Sequence, residues 1–137
     1  MPKEALVSAV KQIMAVAKGG DADGANALYA ALFASPEFAA YRPEDQRQAL
    51  KLLIHAKRTG RPSPSLVEAH RAAIAPLTAL VAAEGEPADH EMLGISHLLV
   101  GDTAEASRVF QAGLDLERAA HPESDLCGRL MKRLSSV

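Results

Sequence analysis

From Lys3 to Lys18 the apolar side chains fall at Leu6, Ala9, Val10, Ile13, Val16 and Ala17, the three-and-four spacing of an amphipathic helix, and Gly19-Gly20-Asp21 stops it. After Asp21 a second stripe runs through Ala25, Leu28, Tyr29, Leu32 and Phe33, and Ser35-Pro36 closes it. Phe38 to Arg42 reads as a connector before Pro43, which opens a third helix from Glu44 to about Lys57 with Ala49, Leu50, Leu53, Ile54 and Ala56 inward. Gly60-Arg61-Pro62-Ser63-Pro64 breaks the pattern. A fourth helix is expected from about Ser65 to Ala83, kinked or divided at Pro76, whose ring crowds the preceding turn and removes a backbone donor. Glu86-Pro87 introduces a fifth, Asp89 to Val100. Gly101-Asp102 introduces a sixth, Thr103 to about Ala119, and Pro122 starts a last helix with Leu126, Cys127, Leu130 and Leu134 on one face.

The pattern predicts an all-α chain of about seven helices in a single domain, 1–137. Its turns at Gly20, Gly60 and Gly101 are spaced by 40 and 41 residues. Three antiparallel helix pairs, about 3–35, 43–83 and 87–119, would stack, because such repeats cannot bury their apolar faces alone, and helix 122–135 would cap the end. Within the third pair, "LGISHLLVGDTAEASRVFQAG", the residues Leu93-Gly94, His97, Gly101, Ala106, Phe110 and Gly113 resemble the spacing of the tetratricopeptide signature, which implies that small side chains let two helices touch and an aromatic plugs the gap. This stretch resembles the tetratricopeptide (TPR-like) family. It departs from the family in having His97 in place of the usual Tyr, Gly113 in place of Ala, and no opening aromatic. The first pair matches more weakly, through Gly20, Ala25, Tyr29 and Leu32. The resemblance implies a right-handed stack of helix pairs whose concave groove binds peptides or partner helices. The period near 40 exceeds the roughly 34 residues of that family, so a HEAT-like stack or an irregular helical bundle is the alternative.

Composition sharpens this picture at a few points. With 48% hydrophobic and 23% charged residues the chain has enough of both for a core and a hydrated surface, and the abundance of Ala and Leu beside only two Tyr, three Phe and no Trp favours closely packed helices over sheet. A net charge of −2 argues against a nucleic-acid partner. The single cysteine, Cys127, cannot form an internal disulfide, and no stretch reads as the roughly 18 apolar residues of a membrane span, so a cytoplasmic setting is expected.

No catalytic, cofactor or metal site is expected. His90-Glu91 begins like an H-E-x-x-H helix, but Gly94 stands where the second zinc ligand belongs. His90 reads as a solvated first-turn residue, His97 as packing between helices, and His55 and His70 as surface or helix-end residues. Glu84, Glu86, Asp89 and Glu91 read as a polar lead into a helix N-terminus. Arg47, Lys51 and Arg58 read as a solvated helix face. The chain therefore reads as a scaffold or chaperone-like adaptor that holds an amphipathic helix or apolar peptide, rather than as an enzyme; a small-ligand regulator or an enzyme with a histidine/carboxylate site is the alternative. Projecting the third pair's register onto the others lines the groove with Val7, Val10, Met14, Leu50, Ile54, Ile95 and Leu98, rimmed by Arg47, Lys57 and Glu91. The partner would be another protein or a peptide; ordinary core burial, or a second copy of the chain, are the competing uses of that surface.

Overall fold

The computed structural model describes residues 2–137. Among them are seven α-helices, one 3₁₀ turn and no strand. The helices are α1 (Lys3–Lys18), α2 (Ala22–Ala34), α3 (Pro43–Ile54), α4 (Pro64–Glu84), α5 (Pro87–Leu99), α6 (Thr103–Ala120) and α7 (Asp125–Ser135), with the 3₁₀ turn at Phe38–Ala40. Their contacts fall into two compact units, one up to Pro76 and one from Leu77 to Val137. The fourth helix runs unbroken through Pro76 despite the missing N–H for the Ala72 carbonyl, and contributes to both.

In the first unit α1 packs on α2 through a tight turn. Gly20 takes a left-handed φ of 91°, the Asp21 amide bonds back to the Val16 carbonyl at 3.3 Å, and the Asp21 carboxylate caps α2 by accepting from the Gly24 amide at 2.8 Å. The core is aromatic. Tyr29 stacks on Phe33, which meets Phe38 edge-on at 5.2 Å, and Phe38 meets Tyr41 at 6.3 Å. Four of the chain's five aromatic rings are spent here, and the fully buried Phe38 explains why the connector folds into a 3₁₀ turn instead of trailing as a loop. Leu6, Ile13, Leu50, Leu53 and Leu66 are also buried, each worth about 1.5–3 kcal/mol when removed from water. A polar seam ties α2 to the start of α4: Ser65 accepts from Asn26 at 3.1 Å and donates to Asp23 at 2.6 Å.

In the second unit α5 and α6 form the closest helix pair, and α7 packs on α6. A Cβ on Gly94 would overlap the Phe110 ring, and one on Gly113 would come within 2.7 Å of the His90 Cβ. The absence of both side chains is what lets the helix axes approach. Phe110 is fully buried against this gap. The turn repeats that of the first unit: Gly101 at φ 89°, the Asp102 amide on the His97 carbonyl at 2.9 Å, and the Asp102 carboxylate accepting from the Glu105 amide at 3.2 Å.

Two expectations need correction. First, α3 and α4 are not among the close helix pairs; residues 55–63 join them, and although Gly60 has a left-handed φ of 76°, prolines at 62 and 64 and the lack of a following acidic cap replace the tight turn with a longer connector. α3 accordingly ends at Ile54, leaving Ala56 exposed. Second, α4 is long and apolar enough by length and composition to cross a membrane, contrary to the reading that no stretch is. Its buried side is one stripe, Leu66, Ala69, Ala73, Leu77 and Leu80, and much of its remaining apolar character is alanine.

Candidate functional site

On α1, Lys3, Leu6, Val7, Val10 and Lys11 form one helical face; on α3, Asp45, Gln48, Ala49 and Leu52 form another. The two faces line a cleft of about 260 Å³. Leu6 and Ala49 make its floor, while Val7 and Leu52 remain 42% and 41% exposed. Met14, two turns beyond Val7 on α1, is 50% exposed. The rim is charged, with Lys3 and Lys11 on one side and Asp45 on the other, the latter accepting from Arg42 Nε at 3.1 Å. Such an arrangement desolvates apolar side chains and orients them by charge; it offers no convergent set of reactive groups.

The residues expected to line one groove are not brought together. Val7 and Val10 line the α1–α3 cleft and Met14 extends it. Leu50 and Ile54 are buried, and Arg47, expected as a solvated rim cation, is 5% exposed with Glu44 at 3.8 Å. At about 100° per residue, Arg47, Leu50 and Ile54 lie on nearly the opposite side of α3 from Asp45, Gln48, Ala49 and Leu52. The projected register assumed that α3 turns back on α4 as α5 does on α6, and it does not. Lys57 is exposed in the connector. Ile95 is buried, and Leu98 is half-buried beside a separate recess of about 370 Å³ with Arg129, Lys132, Arg133 and Ser136.

Glu91, expected on the rim, is 1% exposed. It accepts from Arg133 Nε at 2.8 Å and from Arg129 Nε and Nη2 at 3.2 and 3.3 Å. Burial pushes its carboxyl upward, but these hydrogen bonds and the two positive charges outweigh that and hold it below the usual carboxylate range. The only sequence signal was the Arg129, Arg133 pair, one turn apart on α7, and nothing local pointed it at a residue about forty positions earlier.

No protein-family model, curated protein or solved structure matches the chain.

The histidines also depart from expectation. His70, read as a surface or helix-end residue, is buried, and burial with help from the nearby Arg58 charge lowers its pKa to about 4. His90, read as solvated, is buried with Nδ1 donating to the Glu86 carbonyl at 2.8 Å. Asp89 of the acidic cluster is fully buried as well, because the first turn of α5 is turned inward. Among the described residues no three His, Cys, Asp or Glu side chains converge in a metal-holding group. Cys127 is a buried free thiol on the inner face of α7.

Proposed function

We propose that the protein is an interaction module without chemistry of its own, which holds an acidic amphipathic helix through the cleft between α1 and α3. The observation that carries this reading is the pairing of exposed Val7 and half-buried Val10 on α1 with exposed Leu52 on α3 across a cleft rimmed by Lys3 and Lys11. Exposed apolar surface gathered in one place on a small chain marks an interaction site more than scattered leucines do. Lys3 and Lys11 stand eight residues apart, about 12 Å along α1, which suits carboxylates about two turns apart on a partner helix. Affinity comes from the apolar anchors and orientation from the rim. The α5–α6 hairpin is read as a tetratricopeptide-like unit, supported by the Gly94–Phe110 fit, and the buried free thiol of Cys127 suits a reducing, cytoplasmic setting.

The test is a labelled synthetic helix of about eighteen residues, with leucines at three-and-four spacing and flanking glutamates, followed by fluorescence anisotropy. Val7→Asp and Leu52→Asp are expected to weaken binding by about tenfold or more while the melting temperature holds, since both side chains are exposed. Equal binding of a lysine-flanked helix, or indifference to both substitutions, would contradict the reading. A concentration-dependent dimer dispersed by Leu52→Asp would assign the cleft to a second copy of the chain.

A further inference from the structure

The recess beside Leu98 lies wholly within the unit from Leu77 onward, and its chemistry differs from that of the α1–α3 cleft. Its lining is Leu98 at the end of α5 with Arg129, Lys132, Arg133 and Ser136 at the end of α7. Residues 129, 132 and 133 stand at i, i+3 and i+4, so the three cations share one side of the helix.

Two of the three are held in place. Arg129 and Arg133 both donate to Glu91, whose carboxylate is fully buried, yet their side chains stay 53% and 33% exposed. One buried anchor therefore orients two guanidiniums and leaves further N–H groups of each without a partner among the described residues. Lys132 is exposed, and its ammonium makes no hydrogen bond or ion pair among the described residues.

The sign of the ligand follows from these fixed charges. Three cations meet one carboxylate, an excess of two positive charges. Like charges one turn apart on a helix repel, and the negative end of the α7 dipole offsets that repulsion without gathering the cations around a cavity. Asp125 and Glu117 also act on Arg129. Asp125 lies about 10–12 Å along the axis from Lys132 and Arg133, beyond the roughly 8 Å over which charges are felt in physiological salt, and Glu117 is engaged by the Ser124 hydroxyl. The excess at Lys132 and Arg133 stands.

Two positive charges in excess suit a dianion better than a monoanion. Donors spread over three side chains suit a head group with several terminal oxygens, which a phosphate has and a carboxylate lacks, and guanidinium forks match phosphate geometry. At roughly 30 Å³ per water, 370 Å³ holds about twelve non-hydrogen atoms. That is more than a bare phosphate fills, and Leu98 offers the remainder an apolar contact.

We propose that this recess binds the phosphate monoester of a small organic molecule, its phosphate on Arg129, Lys132 and Arg133 and its organic body against Leu98. This site rests on no part of the α1–α3 reading, and either can fail without the other.

The experiment titrates the full chain with phenyl phosphate at about pH 7.5, where a phosphate monoester carries about two negative charges, and follows the amide resonances by NMR. Inorganic phosphate serves as the head group alone, phenylacetate as a monoanion of similar shape and benzylammonium as the cation. Saturable shifts at Leu98 and residues 129–136 with phenyl phosphate are expected, with binding at least about tenfold weaker for phenylacetate, about threefold or more weaker for inorganic phosphate, and absent for benzylammonium. Lys132→Gln is expected to weaken phenyl phosphate by about fivefold or more with an unchanged melting temperature, since that ammonium has no partner in the fold to lose, and Lys132→Arg to restore it. No saturable shift, equal affinity for phenylacetate, indifference to Lys132→Gln, or shifts centred on Lys3 and Lys11 would overturn the proposal. Equal affinity for inorganic phosphate would overturn the assignment to an ester.

Discussion

At the scale of single residues, the α5–α6 contact rests on two absences and one ring. Gly94 leaves room for Phe110, and Gly113 leaves room for His90. Phe110→Ala is expected to destabilise by about 3–5 kcal/mol through the cavity it opens, and Gly94→Ala by about 1–3 kcal/mol through overlap with the ring, both read from urea unfolding curves. These residues were legible in the sequence because the small-residue and aromatic spacing is local to one hairpin. The burial of Arg47, His70 and Glu91 was not, because each depends on what a distant segment brings to it. His70 has a consequence for pH. Its folded pKa is lowered from 6.5 to about 4, so the unfolded chain takes up a proton that the folded one refuses. Stability is then complete above about pH 6.5 and falls as the pH drops toward about 4, by up to about 1.4 kcal/mol per pH unit. His70→Gln is expected to flatten that slope between about pH 6.5 and pH 5. An unchanged slope would mean that another group carries the acid sensitivity.

At the scale of elements, the same turn is used twice and avoided once. Gly20-Asp21 and Gly101-Asp102 each pair a left-handed glycine with an aspartate cap, while Gly60 is followed by prolines and a connector. The glycine spacing of 40 and 41 residues therefore marked three breaks correctly but only two tight hairpins. The closing helix was legible as an apolar stripe, with Cys127 and Leu130 inside, but its attachment was not. α7 is capped by Ser124, whose hydroxyl accepts from the Cys127 amide at 3.0 Å and donates to Glu117, and it is clamped to α5 by Glu91. Glu91→Gln keeps the shape and removes the charge, leaving two arginines with weaker acceptors. An overall loss of about 1–3 kcal/mol is expected, with amide exchange in α7 speeding up before that in α6. The carboxylate's lowered pKa adds a loss of stability as pH falls below the ordinary carboxylate range, and this component is expected to vanish in the same variant. Uniform acceleration across the unit would mean that the clamp does not hold α7 specifically.

At the scale of the whole molecule, the helical class and the number of helices followed from periodicity and punctuation, because those signals are set by nearest neighbours along the chain. The grouping of the expected groove residues did not, because it depends on which side of α3 faces α1, and the projected register put Leu50 and Ile54 there where the cleft lining has Ala49 and Leu52. Val7 and Val10 line that cleft and Met14 is exposed on the same helix, while Leu50 and Ile54 are buried. The most direct test of the interaction reading is amide chemical-shift mapping of the full chain as the glutamate-flanked amphipathic helix is added. The expected result is a saturable set of shifts confined to residues 3–14 and 45–52. Shifts centred instead on Leu98 and residues 129–136, or none at saturating peptide, would contradict it.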